Sequence, residues 1–202
     1  MGSALSSFKR DRLWKHLQPQ VPRRITMLGG DDCGKSSILA RITSESPYKV
    51  TLDIAIEKPV WEWLKLPKLT IGVFDIQVCR PRYVESVQEF VRENIDGIIF
   101  AISANPAGRC AWESILWELS EYVFAVEETK HSVLLVLITR LDEERSAPFE
   151  EIRQDIDKLI AEKGRAEQCY AIKPANGKTG EGLEEAFDWF SDKLNHQPMR
   201  AV

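Results

Sequence analysis

Nine residues carry the most specific chemistry in the chain: Gly29, Gly30, Asp31, Asp32, Cys33, Gly34, Lys35, Ser36 and Ser37. They fit the spacing G-x-x-x-x-G-K-[ST]. An apolar run from Ile25 to Leu28 precedes them, and the helix-like stretch from Ser37 to Ile42 follows. Strand, glycine-bounded loop and helix start is the context in which this spacing wraps a nucleotide's phosphates. The glycines let consecutive backbone N–H groups point inward, and the helix start adds positive potential. Lys35 would reach the β- and γ-phosphates, and the Ser36 hydroxyl would sit on Mg²⁺.

Such a loop needs a sheet beneath it, and the chain supplies the pattern. Lys49 to Glu57 alternates like a strand, as does Leu69 to Phe74, and Pro59 to Pro67 reads as the connection of a hairpin. Trp61 and Trp63 lie within that connection and are expected to pack against the sheet or the amino-terminal arm. Ile98–Ile102 and Val133–Ile138 are continuous apolar runs, the mark of strands buried on both faces. Cys169 to Ile172 adds a short strand. Helical spacing marks Pro81 to Asn94, Trp112 to Val126, Phe149 to Leu159 and Leu183 to Leu194. The alternation predicts an α/β fold, with a mostly parallel six-stranded sheet, one antiparallel edge strand and helices on both faces. Ligands of such sheets bind beyond the carboxyl ends of the strands.

The amino terminus reads differently. Met1-Gly2-Ser3-Ala4-Leu5-Ser6 fits the N-myristoylation pattern, with Gly2 as acceptor once Met1 is removed. One acyl chain binds a membrane only marginally, at roughly 10⁴ M⁻¹, so a second signal is needed. Residues 1–24 hold six basic side chains against Asp11 alone, in a chain of net charge −4. Basic residues near an anionic leaflet contribute about 1 kcal/mol each. Leu5, Phe8, Leu13, Trp14 and Leu17 could add apolar insertion, although a helix here is only weakly amphipathic. Pro19 and Pro22 separate the arm from the first strand. The domain reading is therefore an arm over 1–20, a nucleotide-binding domain over 21–196 and a tail over 197–202.

The four cysteines (Cys33, Cys79, Cys110 and Cys169) form no C-x-x-C pair. They argue for cytosolic free thiols and against a zinc site or disulfide framework. No apolar run approaches the ~20 residues of a membrane span, and no signal-peptide pattern is present.

The order of these features resembles a Ras-superfamily small GTPase, and within it the ADP-ribosylation-factor-like branch, over about residues 1–195. The resemblance rests on the Met1-Gly2 start, the loop Gly29–Ser36 and the stretch Thr51-Leu52-Asp53-Ile54. It rests also on Phe74-Asp75, on Arg140-Leu141-Asp142, and on Asn176 to Gly182. It implies GTP and GDP as ligands, with Mg²⁺ held by Ser36 and Thr51. Asp75 would orient a metal-bound water, and Asp142 would read guanine N1 and N2. Arg140 would cover the base, the Gly177 N–H would meet O6, and Lys178 would complete the base-reading segment. Residues near 43–57 and 75–93 would change order with the γ-phosphate. The implied setting is a monomer without nucleic-acid partners, cytoplasmic and held peripherally at the Golgi or another endomembrane. There it would recruit effector and regulator proteins in vesicle and protein trafficking.

The departures bear on catalysis. Where the family has D-x-x-G followed by glutamine, this chain reads Asp75-Ile76-Gln77-Val78-Cys79. Val78 is stiff where a glycine swings its N–H toward the γ-phosphate. A Cys79 thiol cannot orient the attacking water as an amide does. The guanine motif N-K-x-D is Thr139-Arg140-Leu141-Asp142, and Asp31 and Asp32 must point away from the polyphosphate. Nucleotide binding with weak or absent hydrolysis is the expectation, so no catalytic residue is assigned. The alternatives are a pseudo-GTPase scaffold that does not cycle nucleotide and a P-loop kinase of small substrates. The kinase reading lacks an arginine-bearing lid and an acidic substrate site.

Overall fold

Alternating side chains along two apolar strands build the two faces of the molecule. In a computed structural model, which describes residues 13–30, 32–44, 61–74, 84–93, 96–105, 112–164 and 169–198, these strands lie at the centre of a six-stranded sheet. The elements run β1 (Arg23–Leu28), α1 (Lys35–Ser44), β2 (Trp61–Leu66), β3 (Leu69–Phe74), α2 (Val84–Glu93) and β4 (Gly97–Ser103). They continue with α3 (Trp112–Leu119), β5 (Val133–Thr139), α4 (Phe149–Glu162), β6 (Tyr170–Pro174) and α5 (Leu183–His196). The strand order is β2-β3-β1-β4-β5-β6. Only the β2–β3 pair is antiparallel.

Every residue of β4 and β5 is buried, because each strand is covered on both faces. Val133, Leu135 and Leu137 pack with Ile25, Met27, Ile38, Ile42, Phe187 and Phe190 on the α1/α5 side. Leu134, Val136 and Ile138 pack with Phe100, Leu119, Tyr122, Ile152 and Ile156 on the α2/α3/α4 side.

The edge hairpin corrects the sequence reading. Residues 61–66, expected to belong to the connection, form the edge strand itself, paired from Trp61↔Phe74 to Leu66↔Leu69. Pro67 and Lys68 make the turn, so Pro67 closes the hairpin instead of separating two distant strands. Leu64 and Leu66 are buried and Lys65 is exposed, the alternation that a half-covered edge strand requires. The stretch 49–57 and the side chains of Trp61 and Trp63 lie outside the described residues.

The helix expected over Trp112 to Val126 is also modified. α3 gives way to a π turn, Ser120–Phe124, with the Ala125 N–H donating to the Ser120 carbonyl at 2.8 Å. The wider turn brings Tyr122 and Val123 together into the core. The Gln88 amide from α2 donates to the Glu121 carbonyl at 2.9 Å, which satisfies a group the π turn frees.

The described part of the amino-terminal arm is integrated into the domain. A 3-10 turn, Leu13–Lys15, buries Leu13 and Trp14, and Leu17 is completely buried beside them. Three side chains one or two turns apart on α5 hold the segment. Ser191 Oγ donates to the His16 carbonyl at 2.6 Å, and Asp188 meets His16 Nδ1 at 2.7 Å. Asn195 Oδ1 accepts from the Gln20 N–H at 2.6 Å. Leu13, Trp14 and Leu17, considered above for membrane insertion, are here part of the core. Gly2, Leu5 and Phe8 lie outside the described residues. No helix among the described residues is long and apolar enough to cross a membrane.

Candidate nucleotide site

β1, β4, β5 and β6 run parallel, so the loops after Leu28, Ser103, Thr139 and Pro174 leave the same edge of the sheet. The first turns in at once. Gly29 adopts φ 149°, and a Cβ there would stand 2.3 Å from the Ala101 carbonyl oxygen and 2.7 Å from Cys33 Sγ. Only glycine fits that approach. The loop then leads into α1, whose Ile38 N–H donates to the Gly34 carbonyl at 3.0 Å.

Lys35 folds back over the loop. Its Nζ donates to the carbonyls of Gly29 at 2.6 Å and Gly30 at 2.9 Å and lies 3.4 Å from Cys33 Sγ. The side chain is 5% exposed, so the ammonium is fixed in place at the loop. Ser36, next along, is exposed in the first turn of α1. A buried ammonium, a helix start and a hard hydroxyl oxygen suit a polyphosphate with Mg²⁺. Lys35 would hold the phosphates and Ser36 the metal, which would neutralise phosphate charge. Ser37 follows, half-buried. The other expected metal ligand, Thr51, lies outside the described residues, as do Asp31, Asp75 and Val78.

Thr139 joins this loop to the end of β5. Its hydroxyl, 1% exposed, faces the Cys33 carbonyl at 2.8 Å and the Ile102 carbonyl at 3.2 Å. Arg140 follows in the left-handed region at φ 57°, as does Asp32 at φ 59°. The Arg140 guanidinium reaches Asp32 Oδ1 at 3.5 Å and Glu143 Oε1 at 3.4 Å. Glu143 Oε2 in turn accepts from Asn105 Nδ2 at 2.8 Å. The Asp32 side chain is 86% exposed, so it points outward, as a phosphate loop demands of a carboxylate. Surface pairs of this kind contribute about 0–1 kcal/mol; this one's consequence is to aim Arg140 across the loop.

The segment after β6, expected to meet the guanine base, is organised by Asn176. Its Oδ1 accepts from the N–H groups of Lys178 at 2.9 Å and Thr179 at 3.0 Å. Arg41 of α1 donates through Nε to the Gly177 carbonyl at 3.3 Å and through Nη2 to the Lys178 carbonyl. Gly177 lies so close to α1 that a Cβ would be 3.1 Å from Ser37 Cβ and 3.3 Å from the Gly34 carbonyl oxygen. Asp142 is exposed. A cavity of about 390 Å³ is lined by Leu141, Asp142, Pro174, Ala175, Asn176, Glu181, Gly182 and Glu185.

Of the residues selected from sequence, the structure therefore gathers Gly29, Gly30, Asp32, Cys33, Gly34, Lys35, Ser36, Ser37, Thr139, Arg140, Asp142, Gly177 and Lys178 at one sheet edge. Sequence reasoning missed Arg41, which looks like any polar residue of an amphipathic helix. It also missed the orienting role of Asn176, for which the Asn-Gly pair was an available turn signal.

Comparison with known proteins agrees with this geometry. The sequence model of the ADP-ribosylation factor family matches residues 11–194. ADP-ribosylation factor-like protein 2 of Arabidopsis thaliana is 26% identical over 168 residues, covering 82% of this chain and 84% of that protein. The sheet with its single antiparallel edge pair is that of a P-loop small GTPase. The chain belongs to the ADP-ribosylation factor family of guanine-nucleotide-binding small GTPases.

Proposed function

We propose that the protein is an ADP-ribosylation-factor-like regulator that binds GTP and GDP with Mg²⁺ and hydrolyses GTP weakly or not at all. The observation that carries the binding half is the bond from Thr139 to the Cys33 carbonyl, which ties the base-reading end of β5 to the phosphate loop. The reduced hydrolysis rests on Val78 and Cys79, which stand where a glycine and a glutamine would serve water attack. Asp75, Thr51 and the segments around them would form the effector surface. Gly2 and the basic arm would bring the protein to a membrane as a cytoplasmic, peripherally bound monomer.

Single-turnover GTP hydrolysis on pure protein tests the catalytic half. The expected result is a rate far below that of Val78→Gly/Cys79→Gln. Ordinary turnover by the native chain, unchanged in Cys79→Ala, contradicts it. Membrane fractionation of Gly2→Ala tests the anchor; the variant should move to the soluble fraction, and an unchanged distribution removes that part of the reading.

A second reading, a scaffold that does not cycle nucleotide, draws on the same loop. Lys35 is satisfied by the loop's own Gly29 and Gly30 carbonyls, an arrangement that holds without a ligand. Calorimetry with GDP and GTP in Mg²⁺ separates the two readings, since no heat up to millimolar nucleotide favours the scaffold.

A further inference from the structure

Glu143 follows Asp142 in the chain, and both oxygens of its carboxylate are engaged. Oε1 lies 3.4 Å from Nη1 of Arg140, and Oε2 accepts from Asn105 Nδ2 at 2.8 Å. The other arm of the same guanidinium, Nη2, reaches Asp32 Oδ1 at 3.5 Å. Asn105, Glu143, Arg140 and Asp32 thus form one line of contacts from the loop after β4, through the loop after β5, to the phosphate loop.

The two carboxylates on Arg140 are not equivalent. Asp32 is 86% exposed, whereas the Glu143 side chain is 30% exposed. Glu143 is also held by its backbone. Its N–H donates to the Arg140 carbonyl at 3.3 Å, and its carbonyl accepts from the Ser146 N–H at 3.0 Å. Asn105 is fixed in turn, since Ser103 Oγ donates to its carbonyl at 2.8 Å. Glu143 therefore offers Arg140 a fixed partner, and Asp32 a solvated one. An arginine side chain loses rotamer freedom when it is ordered, and a partner that orders it beforehand improves ligand binding.

We propose that Glu143 is a positioning residue for nucleotide binding, holding the Arg140 guanidinium ready over the face of the guanine base. This rests on the nucleotide-binding reading, in which Arg140 covers the base, and adds the residue that prepares Arg140 for that contact. A cation contributes over an aromatic face only where it stands close to the ring. Glu143 acts through Arg140, with Asn105 behind it.

The test is calorimetric titration of GDP with Mg²⁺ into the full chain and its Glu143→Gln, Glu143→Leu and Arg140→Met variants. The double variant Glu143→Leu/Arg140→Met completes the cycle, and thermal melting is measured on each protein. Glu143→Leu should bind GDP about fivefold more weakly. Glu143→Gln, which keeps an oxygen for Asn105, should lose about threefold. Adding Glu143→Leu to Arg140→Met should weaken binding by less than about 1.5-fold further, since the side chain it positions is gone. A merely structural role would instead weaken binding alike in both backgrounds. If the native chain binds and both Glu143 variants stay within about 1.5-fold of it, the inference is overturned and the nucleotide reading stands. A loss that recurs in full beside Arg140→Met also overturns it. Silence of the native chain removes the nucleotide reading and the inference with it. If Glu143→Leu does not fold, Glu143→Gln and its own double variant decide by the same criteria.

Discussion

Thr139 Oγ1, at the last residue of β5, lies 2.8 Å from the carbonyl oxygen of Cys33, 106 positions earlier in the chain. The bond joins the strand that presents Arg140 and Asp142 to the loop that presents Lys35. Both partners are buried, with Thr139 at 1% and Cys33 at 3% exposure. This buried hydroxyl is one of the links between the glycine loop and the end of β5, beside the exposed Arg140–Asp32 pair.

Replacing that hydroxyl by a methyl group isolates its effect. Thr139→Val keeps the branched shape, so no cavity is opened, but it leaves the Cys33 carbonyl without this donor. An unsatisfied buried acceptor costs about 1–3 kcal/mol. The expected result is a lowered denaturation midpoint and GDP affinity weakened by about tenfold, measured by urea unfolding and calorimetry.

Asp142 is exposed, so its loss should leave stability almost unchanged. Two hydrogen bonds from a guanine edge to a carboxylate contribute about 1.5–3 kcal/mol each. Asp142→Ala should bind GDP about a hundredfold more weakly and discriminate poorly between GDP and ADP. Competition between the two nucleotides measures this, and retained guanine preference argues for a different reader of the base.

Arg41 lies on α1, a few residues after Lys35 and Ser36, yet it holds the carbonyls of Gly177 and Lys178, 136 and 137 positions later in the chain. Arg41→Met preserves most of the stem and removes the donors. Charge-assisted bonds of this kind contribute about 1.5–3 kcal/mol each. GDP should dissociate roughly tenfold faster, followed by release of a fluorescent analogue, with unfolding shifted much less. Equal losses in both measurements would instead make Arg41 a general stability residue.

The fourth prediction concerns the arm. Leu17 is fully buried, and its neighbour His16 is bound by Ser191 and Asp188 of α5. Large-to-small changes at such positions cost about 2–5 kcal/mol. Leu17→Ala should destabilise the whole domain by that amount in urea unfolding. A change below ~0.5 kcal/mol, the range of ordinary surface substitutions, would return residues 13–20 to the status of a detachable tail.

Much of this was legible locally. The phosphate loop was readable because glycine, lysine and serine at fixed spacing report a backbone shape and a charge that neighbours in sequence create. The central strands were readable because Ile98–Ile102 and Val133–Ile138 are apolar at every position, which a strand buried on both faces requires. The hairpin was less so. Residues 61–66 carry two tryptophans and sit between Pro59 and Pro67, a pattern as compatible with a connection as with an edge strand. Pairing with Leu69–Phe74 decided between them.

The sequence by itself determined the glycine-bounded loop with its lysine and serine, and the family to which the chain belongs. Tertiary structure alone decided what holds that loop and the segment after β6 in place. Thr139 reaches Cys33, and Arg41 reaches Gly177 and Lys178. Motif spacing records contacts made along the chain or with a ligand. Contacts between distant segments depend on how helices pack across the sheet, and the residue type of Arg41 does not reveal its partners.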